Sequence, residues 1–141
     1  MKTPLLYFGL VFICLNLSCK SQQYSMDDLP EKQLVFGKGG GMSGAVDTYI
    51  LLENGQLFHS NSITKETEEL ENIGKKEAEN CFAKLDSLSI ADMDFNHPGN
   101  MYYFLEEING AEIRRITWGS ENHEISEEYK EFYNQLRTSI K

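Results

Sequence analysis

Three histidines, three cysteines and 22 acidic side chains hold the reactive chemistry of this chain. His97 stands closest to carboxylates that would serve it, with Asp92 and Asp94 just upstream. An imidazole oriented by a carboxylate is the acid–base half of a small hydrolase, but a third group would have to be brought in by folding. His123-Glu124-Ile125-Ser126-Glu127 falls short of the zinc motif H-E-x-x-H, because Glu127 stands where the second ligand belongs. Asp92, Asp94 and Asn96 alternate like the opening of a calcium loop, yet His97 and Tyr103 occupy the positions that need Gly and Glu. Gly41-Met42-Ser43-Gly44 is one residue short of a nucleophile elbow. Cys81 shares a helical apolar face with Phe82 and Leu85, where a thiol is inert. No spacing asks for a metal or a cofactor, and no catalytic residue is assigned.

The glycines of 37–44 (GKGGGMSG) contain G-x-G-x-x-G at Gly39, Gly41 and Gly44. A dinucleotide site needs a helix to start there and receive the pyrophosphate, whereas the following AVDTYILL reads as a strand. The expected use is a bulged connection between neighbouring strands, with glycine supplying positive φ. Glycine also permits close approach of a ligand or partner to the backbone. Gly40, Gly41 and Met42, together with His97, are therefore the candidate contacts.

The elements that would position these groups follow from periodicity and turn chemistry. Ala78, Cys81, Phe82, Leu85 and Leu88 recur on one helical face over Lys75–Leu88, and Tyr129, Phe132, Tyr133, Leu136 and Ile140 do so from 126 to about 140. Ser126 is the expected N-cap, with Glu127 and Glu128 at the positive end of the helix dipole. Asn54-Gly55 and Asn109-Gly110 each separate β-rich runs, which predicts two tight hairpins. In the second, a two-residue Asn-Gly turn sets Ile108 opposite Ala111 and Tyr103 opposite Ile116. Tyr102, Tyr103, Phe104 and Trp118 are then either core or an exposed aromatic platform. The fold class is α+β, an antiparallel sheet of about five or six strands built on two Asn-Gly hairpins, with two packed helices.

The chain has 141 residues, of which 40% are hydrophobic and 25% charged, enough for one packed core. Its net charge of −9 argues against nucleic acid as a partner. Lys2 followed by the apolar run 5–17 has the form of an export signal, shorter than the about 20 residues a membrane span requires. Asn16-Leu17-Ser18-Cys19 resembles a bacterial lipobox, with Asn16 where the usual pattern has Leu, and the polar Lys20-Ser21-Gln22-Gln23 follows. The GKGGGMSG loop and the FNHPGNMYY stretch are similar to small lipoproteins of Bacteroidota-type bacteria. The lipobox resemblance implies cleavage before Cys19 and a lipid on its sulfur, and the likeness of the domain implies location only. The expected organisation is a lipoprotein signal peptide over 1–18, a flexible tether over 19–31 and one domain over 32–141. Cys81 then has no cysteine partner in the domain. The functional expectation is an exported binding or interaction domain of the cell envelope, held on the membrane through Cys19, at the outer membrane or cell surface, with an envelope protein or a small ligand as partner. The hydrolase built on His97 with Asp92 or Asp94 is the alternative.

Overall fold

The computed structural model describes residues 22–140, so the signal segment and Cys19 lie outside the described residues. Six strands form one antiparallel sheet: β1 (Lys32–Gly40), β2 (Val46–Leu52), β3 (Leu57–Asn61), β4 (Thr67–Glu69), β5 (Met101–Asn109) and β6 (Glu112–Trp118). Helix α1 (Lys75–Leu88) leads from β4 to β5, and α2 (Glu127–Thr138) follows β6. The spatial order β4-β3-β2-β1-β5-β6 puts β1 in the middle, paired with β2 on one side and β5 on the other. The α+β class is therefore as expected.

Alternation along the strands builds the front face. Leu34, Phe36, Leu51, Leu57, Leu105, Ile116 and Trp118 point one way and pack under both helical stripes. All five predicted stripe residues of α1 are buried, as are Tyr129, Phe132, Tyr133 and Leu136 of α2. Each of the buried Leu and Phe side chains contributes about 1.5–3 kcal/mol by leaving water. The back face carries no helix of its own among the described residues, yet Val35, Leu52, Phe58 and Phe104 are at most 4% exposed there.

The Asn-Gly links depart from the expected tight turns. Neither asparagine has positive φ, which a type I′ turn requires at both central residues. Between β2 and β3, Gly55 N–H donates to the Leu52 carbonyl and Gly55 itself takes φ +88°, a turn closed by a glycine bulge. Asn54 is held otherwise: its Oδ1 accepts from Gln56 N–H, and its Nδ2 donates to the Gln22 carbonyl oxygen. Between β5 and β6 the two-residue link is Gly110-Ala111, with Asn109 opposite Glu112 and Tyr103 opposite Trp118. Gly110 at the first central position, φ +61°, fits the type II′ preference, and its N–H donates to the Glu31 carbonyl. This slip of two residues leaves every side chain on its predicted face.

The glycine run joins neighbouring strands with positive φ at Gly40, Gly41 and Gly44, as expected, but its reversal is shorter than the run itself. β1 continues through Gly40, and the reversal occupies only 41–45 before β2 starts at Val46. A strand there, not a helix, removes the geometry a dinucleotide would need. Gly37 and Gly39 lie opposite Phe104 and Tyr102 in the β1–β5 ladder. A Cβ on Gly37 would fall 2.7 Å from Phe104 Cζ, and one on Gly39 would fall 2.5 Å from Tyr102 Cζ. The two rings fill the space that side chains on β1 would occupy.

Ser126 precedes α2 without a side-chain cap bond; its carbonyl accepts from Tyr129 N–H instead. Over 22–31, where composition suggests a tether, the chain makes specific contacts. Tyr24 N–H donates to Gln56 Oε1 at 2.8 Å, Gln56 Nε2 donates back to the Tyr24 carbonyl, and Gln56 is 1% exposed.

Candidate functional site

The glycines of β1 are the first step toward a cleft on the back face. With no side chains at 37 and 39, Phe104 and Tyr102 lie over β1 while their own strand continues. Phe104 then serves as a floor for Arg115 of β6, whose guanidinium carbon sits 3.7 Å from the ring centroid. Arg115 also reaches Glu106 of β5, Nη1 to Oε2 3.4 Å, so its charge is both stacked and compensated. Thr117, two residues on and on the same face, is 7% exposed.

The opposite wall comes from the loop between α1 and β5. Phe95 accepts a bond from Thr117 N–H at 2.8 Å, and His97 N–H donates to the Thr117 carbonyl at 2.9 Å. The loop is thereby stitched to the outer edge of β6, with Asn96 and Thr117 as a parallel bridge. Upstream, a short 3₁₀ turn (Ile90–Asp92) buries Ile90 in the core and carries Asp92 and Asp94 outward. Between wall and floor opens a cleft of ≈ 570 Å³ lined by Asp94, Asn96, Pro98, Tyr102, Arg115 and Thr117. A second depression of ≈ 310 Å³, which includes Asp92 and Ile113, shares Asp94 and Arg115 with it. The cleft lies within the range of small-molecule sites, about 300–1,000 Å³.

The groups in the cleft are chemically mixed. Asp94 accepts only, Arg115 donates only, and Asn96, Thr117 and Tyr102 do both. Among the described residues the side chains of Asp94, Asn96 and Thr117 make no hydrogen bond within the chain. This set can hold and orient a ligand; it contains no nucleophile beside a base.

The residues singled out from sequence are dispersed. His97 does not meet Asp92 or Asp94: its ring stacks on His123 at 3.8 Å between centroids and 4° between planes, with Phe95 edge-on at 4.8 Å. No hydrogen bond or ion pair joins it to either aspartate among the described residues. Gly40, Gly41 and Met42 lie at the β1–β2 reversal, where Gly41 N–H donates to the Asn100 carbonyl and Met42 is fully exposed. None of the three lines the cleft. The aromatic platform divides between faces, with Tyr103 and Trp118 stacked in front at 5.9 Å and Tyr102 and Phe104 behind. Arg115 and Thr117 carry no local signal, and Asn96 stands out only in the calcium-like alternation with Asp92 and Asp94; the β5–β6 register and the loop stitched to β6 bring the three together.

A second polar group occupies the front face. His59 of β3 bonds Asp47 of β2 through Nε2 at 3.2 Å and Glu68 of β4 through Nδ1 at 3.1 Å. Asn61 donates to Asp47 at 2.9 Å, and this bond, ahead of His59 and Lys38, holds the Asp47 carboxyl below its ordinary value against the cost of burial. The contacts tie β2, β3 and β4 together, which makes the group a cross-strand brace. Cys81 is fully buried, and burial followed by the nearby Glu77 pushes its thiol up to about 11, so it is no nucleophile. No cluster of three or more His, Cys, Asp or Glu suited to a metal ion is present among the described residues.

Comparison with known proteins adds no identity: no protein-family model matches the chain, and no curated protein matches it.

Proposed function

We propose that the chain is an exported, lipid-anchored binding domain of the cell envelope, and that the back-face cleft is its ligand surface. The observation that carries this reading is the cleft itself, ≈ 570 Å³, where Asp94, Asn96 and Thr117 have no side-chain hydrogen bond among the described residues and no nucleophile stands beside a base. The cleft and the N-terminal end of the described residues lie at opposite ends of the strands. Tyr102 near the start of β5 and Thr117 near the end of β6 mark the cleft, whereas Gln22 and Glu31 are bonded at the other ends of the strands, by Asn54 and Gly110. A lipid on Cys19 would leave the cleft facing away from the bilayer.

One acyl chain holds a protein to a membrane only marginally, whereas two or more hold it firmly, at about 0.8 kcal/mol per buried CH₂. Cys19→Ala should accordingly transfer the protein from the membrane pellet to the soluble fraction with an unchanged circular dichroism spectrum. A variant that still pellets after a high-salt wash refutes the anchor.

A further inference from the structure

We infer that the back-face cleft recognises a neutral, hydroxyl-rich ligand, an oligosaccharide, an inference that rests on the reading of this chain as a binding domain. The choice follows from the balance of groups in the cleft. Arg115 is the one cation lining it, and Glu106 and the Phe104 ring already engage its guanidinium. What it still offers is directed N–H donors more than net positive charge. Asp94 has no partner and stands as an uncompensated acceptor, which repels a carboxylate or phosphate and accepts from a hydroxyl. The chain as a whole carries −9, which reinforces that selection against anions.

Donors and acceptors lie side by side around an aromatic ring. Asp94 and Arg115 each present two coplanar polar atoms, and Asn96 presents a donor and an acceptor together. Neighbouring hydroxyls of a sugar, each donor and acceptor at once, satisfy such planar side chains in pairs. Tyr102, pressed over Gly39, is a fixed amphipathic surface for the C–H face of a pyranose. Thr117 adds a hydroxyl donor and acceptor to the floor of the cleft. As a residue it is 7% exposed, it lines the cleft, and its hydroxyl makes no hydrogen bond among the described residues and opens to the cleft's solvent. The depression that shares Asp94 and Arg115 extends the surface past one sugar ring, as a chain of residues would need.

The test is a titration of the full-length, ¹⁵N-labelled protein in detergent with cellohexaose, maltohexaose and chitohexaose. Trigalacturonate and trialanine serve as acidic and peptide probes. At least one neutral hexaose should shift amides of residues 94–98, 102 and 115–117, and Tyr102→Ala or Asp94→Asn should each weaken that binding about tenfold or more. Both Asp94 and Asn96 are exposed, so Asp94→Asn and Asn96→Ala test the cleft without a risk to the fold. Absence of shifts with all three neutral hexaoses at millimolar concentration overturns the inference. So does binding that survives Asp94→Asn and Asn96→Ala combined, or shifts at those amides from trigalacturonate or trialanine alone. The last outcome would refute the ligand class while leaving a binding domain, and membrane release by Cys19→Ala is read separately from all of them.

Discussion

Gly39 offers a sharp test of how the sheet is built, because the same substitution should change sign with the residue opposite it. Gly39 is not among the glycines of positive φ, so alanine is compatible with its backbone. In an open strand position, Gly→Ala stabilises by about 0.5–1 kcal/mol through the lower entropy of the unfolded chain. Here the added methyl would fall 2.5 Å from Tyr102 Cζ, so the ring must leave its place over β1. Forcing a methyl group into an occupied site costs about 1–3 kcal/mol. In the wild-type background Gly39→Ala should therefore destabilise by about 1–2 kcal/mol. In a Tyr102→Ala background the obstruction is gone, and the same change should stabilise by about 0.5–1 kcal/mol. Urea unfolding of the four proteins, followed by far-ultraviolet circular dichroism, closes the cycle with a coupling of about 1.5–3 kcal/mol. Gly37 is the control: its methyl would also meet the Asp47 carbonyl oxygen, a backbone atom, so Gly37→Ala should stay destabilising in a Phe104→Ala background. If Gly39→Ala has the same effect with and without Tyr102, the ring does not fill that space and the packing argument fails.

Alkaline pH should weaken the fold. Burial raises Cys81 to about 11 and Tyr133 to about 12, above their ordinary 9.0 and 10.0, so the folded state retains protons that the unfolded chain has released. Stability from both groups is complete below pH 9 and is lost as pH rises through 11–12, a fall of a few kcal/mol in urea-unfolding free energy. Because the buried Tyr133 hydroxyl has no hydrogen-bond partner, Tyr133→Phe should remove its share of that dependence at little cost at pH 7, and an unchanged pH profile would refute the assignment. At the β1–β2 reversal, Gly44 has φ +64° with open space around it, so Gly44→Ala should cost about 1–2 kcal/mol and Gly44→Asn distinctly less. Gly40→Ala should cost more than Gly44→Ala, since φ +96° is joined there by the Asn100 carbonyl oxygen, and equal losses on thermal unfolding would contradict this.

Helix α1 was readable residue by residue, from Lys75 to Leu88, because an amphipathic stripe is a property of neighbours three and four apart. The faces of β5 and β6 were equally local: alternation assigned Leu105, Ile116 and Trp118 to one side, and a register slip of two residues could not move them. The α+β class followed from the order of such segments. What periodicity could not supply was any relation between segments far apart. Pairing of β1 with β5 joins residues more than 60 positions apart, and only that ladder explains Gly37 and Gly39 as space for Phe104 and Tyr102 instead of a phosphate-binding turn. His97 looked poised beside Asp92 and Asp94 because it follows them in sequence; the two backbone bonds to Thr117 fix the loop to β6, and the imidazole stacks on His123 instead. The cleft has the same origin, with Asp94 and Asn96 from a loop, Tyr102 from β5 and Arg115 and Thr117 from β6. The spacing of Asp94 and Asn96 stands out only as a calcium-like alternation, Tyr102 only among neighbouring aromatic residues, and nothing local marks Arg115 or Thr117. A binding surface is set by distances across the fold, and hydrogen bonds between strands determine those distances.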